Sequence, residues 1–220
     1  NDDAVTKLRT RKHRPHKPMA LMFPMDGKWL NRSVALDTAS HAALLDPVRP
    51  IVLARLQPQP DLSSGLSPGL NEAGVMLPYS PLHHLLLQGF GKPLVATSAN
   101  LSGEPVLTDT SEVETRLAGV ADCYLHHVRD TVRPADDSVV RVIAGKVRPI
   151  RMGRGAAPVE LTLPFSLPRP MLAVGSQMKN TVALAWQDRA VVSPHIGNLD
   201  SPRAVAIFEQ VIADLKVIMI

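Results

Sequence analysis

Residues 93–103 read Pro93-Leu94-Val95-Ala96-Thr97-Ser98-Ala99-Asn100-Leu101-Ser102-Gly103. The apolar first part predicts a strand over 94–97, and short hydroxyl and amide side chains follow at its C-terminal end. Open α/β sheets receive phosphate or carboxylate ligands at this end of their strands. An ordinary turn, in which Asn100 or Ser102 caps a helix, is the alternative. The stretch indicates an α/β fold and leaves both interpretations open.

Composition sets the class of protein. The chain has 220 residues, of which 45% are hydrophobic and 20% charged, so it is long enough to bury a sizeable core. The net charge of +4 is concentrated in residues 7–17, where six of eleven residues are Lys or Arg. Such a run is typical of a solvated helix end or an anion site more than of a nucleic-acid patch.

The single cysteine, Cys123, excludes a disulfide framework and a cysteine-only zinc site within these residues. One cysteine fits a reducing cytoplasm, where we expect the protein to be. The sequence has no run of about 18 apolar residues, so we expect no membrane contact. The N-terminus has neither an initiator methionine nor a signal-peptide pattern. We therefore expect a fragment of a longer protein.

Prolines separate short periodic segments in the first two thirds of the chain. A helix capped by Asp2 or Asp3 precedes a strand over 18–23, and residues 57–70 form a long loop. Further helices are predicted over 38–45, 82–88 and 111–117, further strands over 51–56 and 123–127, and a hairpin over 138–143 and 147–152. Helices and strands alternate, but the hairpin predicts a mixed sheet.

Residues 156–170 hold four prolines and no periodicity, which indicates a linker. Strands over 171–174, 181–186 and 190–193, with a turn at 187–189, and a helix over 202–217 follow it. Fifty residues are too few to bury the faces of these elements. We predict a first domain over 1–155, a linker over 156–170 and an incomplete second domain over 171–220.

Clusters of charged and polar residues are the candidate binding groups. Lys12, Arg14 and Lys17 can neutralise a triphosphate, although a solvated helix end is by itself the simpler explanation of this basic cluster. Asp136 and Asp137 suit Mg²⁺ or an exposed turn. Arg151 and Arg154, beside glycines, suit a phosphate or a solvated hairpin end. His126 and His127 point to opposite faces of an extended chain, so one metal cannot bind both directly.

Taken in order, several motifs resemble the YrdC-like domain. They are Lys12-x-Arg14, Lys17-Pro18, the string 74–86, the stretch 97–103, His127-x-Arg129-Asp130, Asp136-Asp137-Ser138-Val139, and Arg151-x-x-Arg154-Gly155. The strings 76–86 and 136–139 resemble the version found in HypF-type carbamoyltransferases of [NiFe]-hydrogenase maturation. Residues 174–181 and 193–199 are similar to the start of the actin-like transferase domain of that family.

This resemblance implies an open, twisted mixed α/β sheet with flanking helices, followed by the first strands and helix of an incomplete actin-like domain. It implies that carbamate from carbamoyl phosphate reacts with ATP to give carbamoyl-adenylate. The carbamoyl group then passes to the C-terminal cysteine of a partner maturation protein, for synthesis of cyanide ligands. Mg²⁺ accompanies ATP, whereas zinc and transferase-domain metal sites belong to parts of the family outside these residues.

The resemblance also implies the binding residues. Nucleotide and carbamate are assigned to Lys12, Arg14, Lys17, Thr97, Ser98, Asn100, Ser102, Ser138, Arg151 and Arg154. Lys179, Asn180 and His195 mark a loop of the second domain, and no residue is assigned to a metal or to a definite catalytic step. Asn198, Pro134 and Pro194 depart from the family pattern, which puts the second-domain loop in question.

Two other functions stay open. Stand-alone YrdC-like proteins make threonylcarbamoyl-adenylate for tRNA modification and are associated with double-stranded RNA binding, for which the basic run 7–17 would serve. The second alternative function is that of a non-catalytic docking module. The continuation into Lys179-Asn180 and His195-x-Gly197 favours the HypF-type interpretation over the stand-alone enzyme.

Overall fold

The structure is a computed structural model that describes residues 1–218. It contains two compact units, and each is described by itself. The first unit comprises Asn1–Ser98 and Asp137–Arg151, and the second comprises Ala99–Asp136 and the chain from Met152 onward. The last two residues of the predicted segment 171–220 lie outside the described residues.

The first unit is built on a seven-stranded mixed sheet. Its strands are β1 (Ala20–Met22), β2 (Val34–Ala35), β3 (Ile51–Leu56), β4 (Glu72–Met76), β5 (Leu94–Ala96), β6 (Val139–Ile143) and β7 (Lys146–Arg151). The order is β5-β1-β4-β3-β6-β7, with β2 paired to β3. β1 is parallel to β4 and β3 is parallel to β6, whereas the other pairs are antiparallel. The mixed sheet is confirmed.

Helices cover both faces of this sheet. They are α1 (Asp2–Arg11), α2 (Lys28–Ser33), α3 (Thr38–Leu45) and α4 (Pro81–Phe90), and a 3₁₀ turn spans Ser64–Leu66. Val5, Leu30 and Leu44 from the first three helices pack with the central strands in one apolar cluster. Leu87 of α4 packs on the opposite face, against Met22, Ile51 and Met76. Burial on both faces explains the continuous apolar runs of β1 and β4.

The second unit holds α5 (Thr110–Arg116), β8 (Val159–Ala173), β9 (Ala183–Val192) and α6 (Pro202–Ile218). β8 and β9 form a two-stranded antiparallel sheet. Its core contains Val182, Leu184 and Val191 from β9 and its flank, with Leu215 and Phe208 from α6. Of the predicted elements, the α6 helix matches within one residue.

Three sequence predictions about local structure are wrong. Most of the predicted linker 156–170 lies in β8, because Pro164, Pro168 and Pro170 are tolerated where the pairing with β9 is interrupted by register shifts. Gln187 forms no turn: it has a positive φ of 52° within a continuous β9, at one of these irregularities. The segment 123–127 is a loop and pairs with no strand within residues 1–218.

Smaller differences concern helix ends and short elements. Asn1 replaces Asp2 or Asp3 as the cap of α1, since its Oδ1 accepts a hydrogen bond from the Ala4 N–H at 2.9 Å. No sequence pattern predicted α2, β2 or β4. The limits of the two domains stay a prediction, because secondary structure within 156–170 does not decide where a domain begins.

Candidate functional site

Lys12 occupies the most unusual position in the first unit. It follows the last turn of α1, and its side chain is almost completely buried, with 3% of the residue exposed. The ammonium donates hydrogen bonds to the Thr97 hydroxyl at 3.1 Å and to the Ser98 carbonyl at 2.6 Å. The structure therefore joins the basic cluster to the end of β5, across 85 residues of sequence.

Burial and two neighbouring cations lower the pKa of Lys12 from 10.5 to about 8. Desolvation of the ammonium is the largest cause, and the charges of Arg14 and Lys17 follow. The charges of Lys12, Arg14 and Lys17 lie close enough together to affect one another, and such a concentration of positive charge is suited to an anion.

Arg14 and Lys17 lie on the turn that carries the chain from α1 to β1. The Arg14 guanidinium donates to the carbonyls of Lys17, at 3.4 Å, and of Pro18. Arg9, which the sequence analysis did not single out, holds the same turn through the Arg14 carbonyl at 2.7 Å and contacts the Gly65 carbonyl at 2.7 Å. These side chains are engaged with the backbone, so the basic run is not simply a solvated helix face.

The polar stretch after β5 is a loop, and no helix follows it before α5. Asn100 closes the loop by donating from Nδ2 to the Glu104 carbonyl at 2.6 Å. The Leu107 N–H donates to the Ala99 carbonyl at 2.8 Å, and Ser102 is exposed. The helix-capping interpretation of Asn100 and Ser102 is therefore wrong.

Ser138 and Arg151 lie toward the opposite edge of the sheet from β5, at the β6–β7 hairpin. Ser138 is buried, its carbonyl accepts from the Ile51 N–H at 2.8 Å, and Arg151 Nε donates to the Asp137 carbonyl at 2.9 Å. Strands β1, β4 and β3 separate this group from Thr97 and Ser98.

The strands beside the two groups share one apolar cluster. Ala96, just before Thr97, and Val139, just after Ser138, pack against the same apolar cluster as Met76. In the second unit, the Arg154 N–H donates to the Asp136 carbonyl at 2.8 Å. The carboxyl groups of Asp136 and Asp137 belong to different units, and no metal role is assigned to them.

Asn180 organises the loop that the sequence analysis marked in the second unit. It is buried, and its Nδ2 donates to the carbonyls of Val174 at 2.8 Å and Ser176 at 2.6 Å. Its N–H donates to the Gly197 carbonyl at 2.7 Å. Asn180 therefore ties two turns together, residues 174–176 through its side chain and Gly197 through its backbone N–H, and its role in this structure is to hold the loop.

Lys179 and His195 flank this loop. The Lys179 N–H donates to the Asn198 side-chain oxygen at 3.0 Å. An aspartate, which the family pattern usually has at this position, could accept the same hydrogen bond through its carboxylate. The His195 N–H donates to the Met152 carbonyl at 2.8 Å. Asn198 therefore preserves a loop contact despite its departure from the pattern.

Two further observations concern metals and membranes. Within residues 1–218, no three His, Cys, Asp or Glu side chains gather closely enough to hold a metal ion. Over the same residues, the structure has no helix with the length and apolar character needed to cross a membrane.

Comparison with known proteins identifies the fold and its order of modules. A family model described as telomere recombination (Sua5/YciO/YrdC) matches residues 1–153, and one described as the HypF Kae1-like domain matches residues 166–219. The chain belongs to the Sua5/YciO/YrdC family. Within it, the chain has the HypF-type arrangement, a YrdC-like domain followed by the start of a Kae1-like domain.

Relatives of known function support this arrangement. The chain is 45% identical to a carbamoyltransferase HypF of Synechocystis, over 97% of this chain and 28% of the relative, and 45% identical to one of Rhodobacter capsulatus over the same shares. A crystal structure of full-length HypF in a phosphate- and nucleotide-bound form matches with a TM-score of 0.93 and 38% identity, over 98% of this chain and 34% of that one.

The chain thus spans less than a third of the length of the two curated HypF relatives. A threonylcarbamoyl-AMP synthase of Bacillus subtilis is 31% identical over 56% of this chain and 37% of its own, so the similarity to that class of enzyme is more distant and covers less of the chain. The predicted fold class and HypF-type resemblance are confirmed.

Proposed function

We propose that the first unit takes part in ATP-dependent activation of carbamate to carbamoyl-adenylate, within a HypF-type carbamoyltransferase. A carbamate oxygen attacks the α-phosphorus of ATP, the bond to the β-phosphate oxygen breaks, and pyrophosphate leaves. The carbamate would come from carbamoyl phosphate. The proposal rests chiefly on the buried ammonium of Lys12, which donates hydrogen bonds to Thr97 and Ser98. Two further cations, Arg14 and Lys17, lie close to it.

The residues suit this reaction because it needs positioning and charge neutralisation more than a protein nucleophile. We assign the triphosphate and carbamate oxygens to Lys12, Arg14 and Lys17. The adenylate is assigned to the loop that carries Thr97, Ser98, Asn100 and Ser102, and further phosphate contacts to Ser138, Arg151 and Arg154. Mg²⁺, bound chiefly by the phosphates, would neutralise their charge.

The second unit suggests the fate of the carbamoyl group. Its match to the HypF Kae1-like domain supports transfer to the C-terminal cysteine of a hydrogenase-maturation partner, whose sulfur attacks the carbamoyl carbon and releases AMP. A reaction that consumes ATP and a free thiol belongs in the reducing cytoplasm. Double-stranded RNA binding is a weaker alternative, because Lys12, Arg9 and Arg14 are engaged with the fold.

Isotope exchange between ATP and pyrophosphate tests the proposed reaction. Purified protein is expected to exchange label when ammonium carbamate is supplied, because carbamate then needs no separate release from carbamoyl phosphate. Threonine with bicarbonate is expected to support no exchange. The reverse preference would assign the chain to threonylcarbamoyl-adenylate synthesis, and exchange with neither substrate would favour a docking module.

Proton uptake on ATP binding tests the role of Lys12 separately. At pH 8 about half of the Lys12 side chains are neutral, and a bound polyphosphate raises the pKa of Lys12 by supplying negative charge. We expect uptake of up to about half a proton per nucleotide at pH 8 and almost none at pH 6.5. Calorimetry in two buffers of different ionisation enthalpy measures this uptake. The same titration of Lys12→Met gives the number of protons that ATP itself exchanges, which is subtracted from the value for the parent. Equal uptake by the parent and this variant would contradict the assignment.

A further inference from the structure

Arg203 makes an unusually directed set of contacts at the start of α6. Its Nη1 donates to both carboxylate oxygens of Glu112 in α5, at 2.7 and 2.8 Å. Its Nη2 donates to the Val106 carbonyl at 3.3 Å. One arginine side chain therefore reaches both α5 and the segment before it.

The contacts continue from Glu112 to the loop after β5. Glu112 also accepts from Arg116 Nη1 at 3.2 Å, and Arg116 Nη2 binds the Glu104 carboxylate at 2.6 Å. The Glu104 carbonyl accepts from Asn100 Nδ2 at 2.6 Å. Arg203, Glu112, Arg116 and Glu104 form a continuous chain of ion pairs that ends at Asn100, and we name these four residues the arginine–glutamate network.

The arginine–glutamate network orients side chains more than it raises the free energy of unfolding. Individual exposed ion pairs contribute little to the free energy of unfolding, whereas two arginines on Glu112 lower its pKa and hold its carboxylate in one orientation. Residues 99–109 contain no helix or strand, and the backbone of this segment is closed by the bond from Leu107 to Ala99. Its conformation therefore depends on side-chain contacts at Glu104 and Val106.

We propose that Arg203 is a positioning residue, which fixes the loop around Asn100 through the arginine–glutamate network. Because α6 lies in the segment that matches the Kae1-like domain, the network makes nucleotide binding at this loop depend on the second module. The proposal rests on the proposed function, in which residues 97–102 contact the nucleotide.

Arg203→Met tests the network, with Arg133→Met as the matched control. Arg133 binds Asp214 of α6 at 2.6 and 2.8 Å and so also joins α6 to the segment 99–136, but by a separate ion pair. For Arg203→Met we expect amide hydrogen exchange over residues 100–107 to accelerate about 3- to 10-fold and the dissociation constant of a non-hydrolysable ATP analogue to rise by a similar factor. Arg133→Met should change both by less than about two-fold.

A double-mutant cycle separates positioning from simple destabilisation. Arg203→Met and Glu104→Gln break the network at its two ends, so their effects on nucleotide affinity should be strongly non-additive, and Arg203→Lys should restore part of the affinity. Additive effects, or equal effects of Arg203→Met and Arg133→Met, would overturn the proposal.

Asn100→Ala keeps this proposal distinct from the proposed function. If that variant binds the ATP analogue as tightly as the parent, the nucleotide role of the loop is wrong, and faster exchange in Arg203→Met would still support the network. If Asn100→Ala weakens binding while Arg203→Met changes neither exchange nor affinity, the network is wrong and the nucleotide role stands.

Discussion

Lys12→Met should weaken binding of ATP about 10- to 100-fold at pH 7 without lowering the stability of the fold. A hydrogen bond from a charged group contributes about 1.5–3 kcal/mol, and the variant removes the ammonium that would face the triphosphate. The lowered pKa means that folding disfavours the charged form of Lys12, relative to its neutral amine, by about 3 kcal/mol. Removal of that cost offsets the lost bonds to Thr97 and Ser98.

Titration of stability checks the same argument independently of ligand. Between pH 8 and 10.5 the unfolded chain binds more protons at Lys12 than the folded chain, so this residue makes the parent more stable as the pH rises. The difference in unfolding free energy between Lys12→Met and the parent should therefore shift in favour of the parent over that range. Denaturant unfolding at several pH values measures it.

Lys7→Met is the control for the binding measurement. Lys7 lies on the same helix and is exposed, so its replacement removes one positive charge without emptying the candidate site. We expect less than about a two-fold change in ATP affinity. Equal loss of affinity in the two variants would mean that net charge, rather than the position of Lys12, governs binding.

Strong local signals made much of the first unit predictable. Residues 38–45 and 51–56 matched α3 and β3 to the residue, because an N-cap aspartate and a β-branched apolar run agree with the tertiary structure there. The β6–β7 hairpin was predictable from Ala144-Gly145, whose positive φ angles form its turn.

The second unit was less predictable for a physical reason. Prolines in 164–170 read as a linker, yet a strand tolerates proline where register shifts remove the need for its N–H. Whether such a segment pairs depends on β9, more than ten residues away, and no local pattern records that. The segment 123–127 shows the converse case, because its residues favour a strand and yet it pairs with no strand among the residues described.

The candidate site divides in the same way. The sequence placed Lys12 near the polar loop only through a family resemblance, whereas burial of the ammonium and its contacts to Thr97 and Ser98 come from the packing of α1. Arg9 and Arg203 carried no motif, and their importance appears only in contacts with residues distant in sequence. Their residue type alone gave no usable signal.

Gly175→Ala should cost the second unit about 2–4 kcal/mol of stability. A Cβ atom at this position would lie 2.4 Å from the Thr181 carbonyl oxygen and 3.0 Å from Asn180 Nδ2, and the backbone has a φ of +67°. A positive φ alone costs a non-glycine residue about 1 kcal/mol, and overpacking against backbone adds about 1–3 kcal/mol. The loop that Asn180 ties together cannot then keep its present form.

Gly145→Ala separates the two contributions. Its φ of +72° is nearly the same, but a Cβ there meets no atom within 4 Å, so we expect a cost of only about 1 kcal/mol. Native-state hydrogen exchange of β8 and β9 amides reports the first variant, and that of β6 and β7 amides reports the second. If both variants cost the same, the close approach of Gly175 to Thr181 does not constrain this loop.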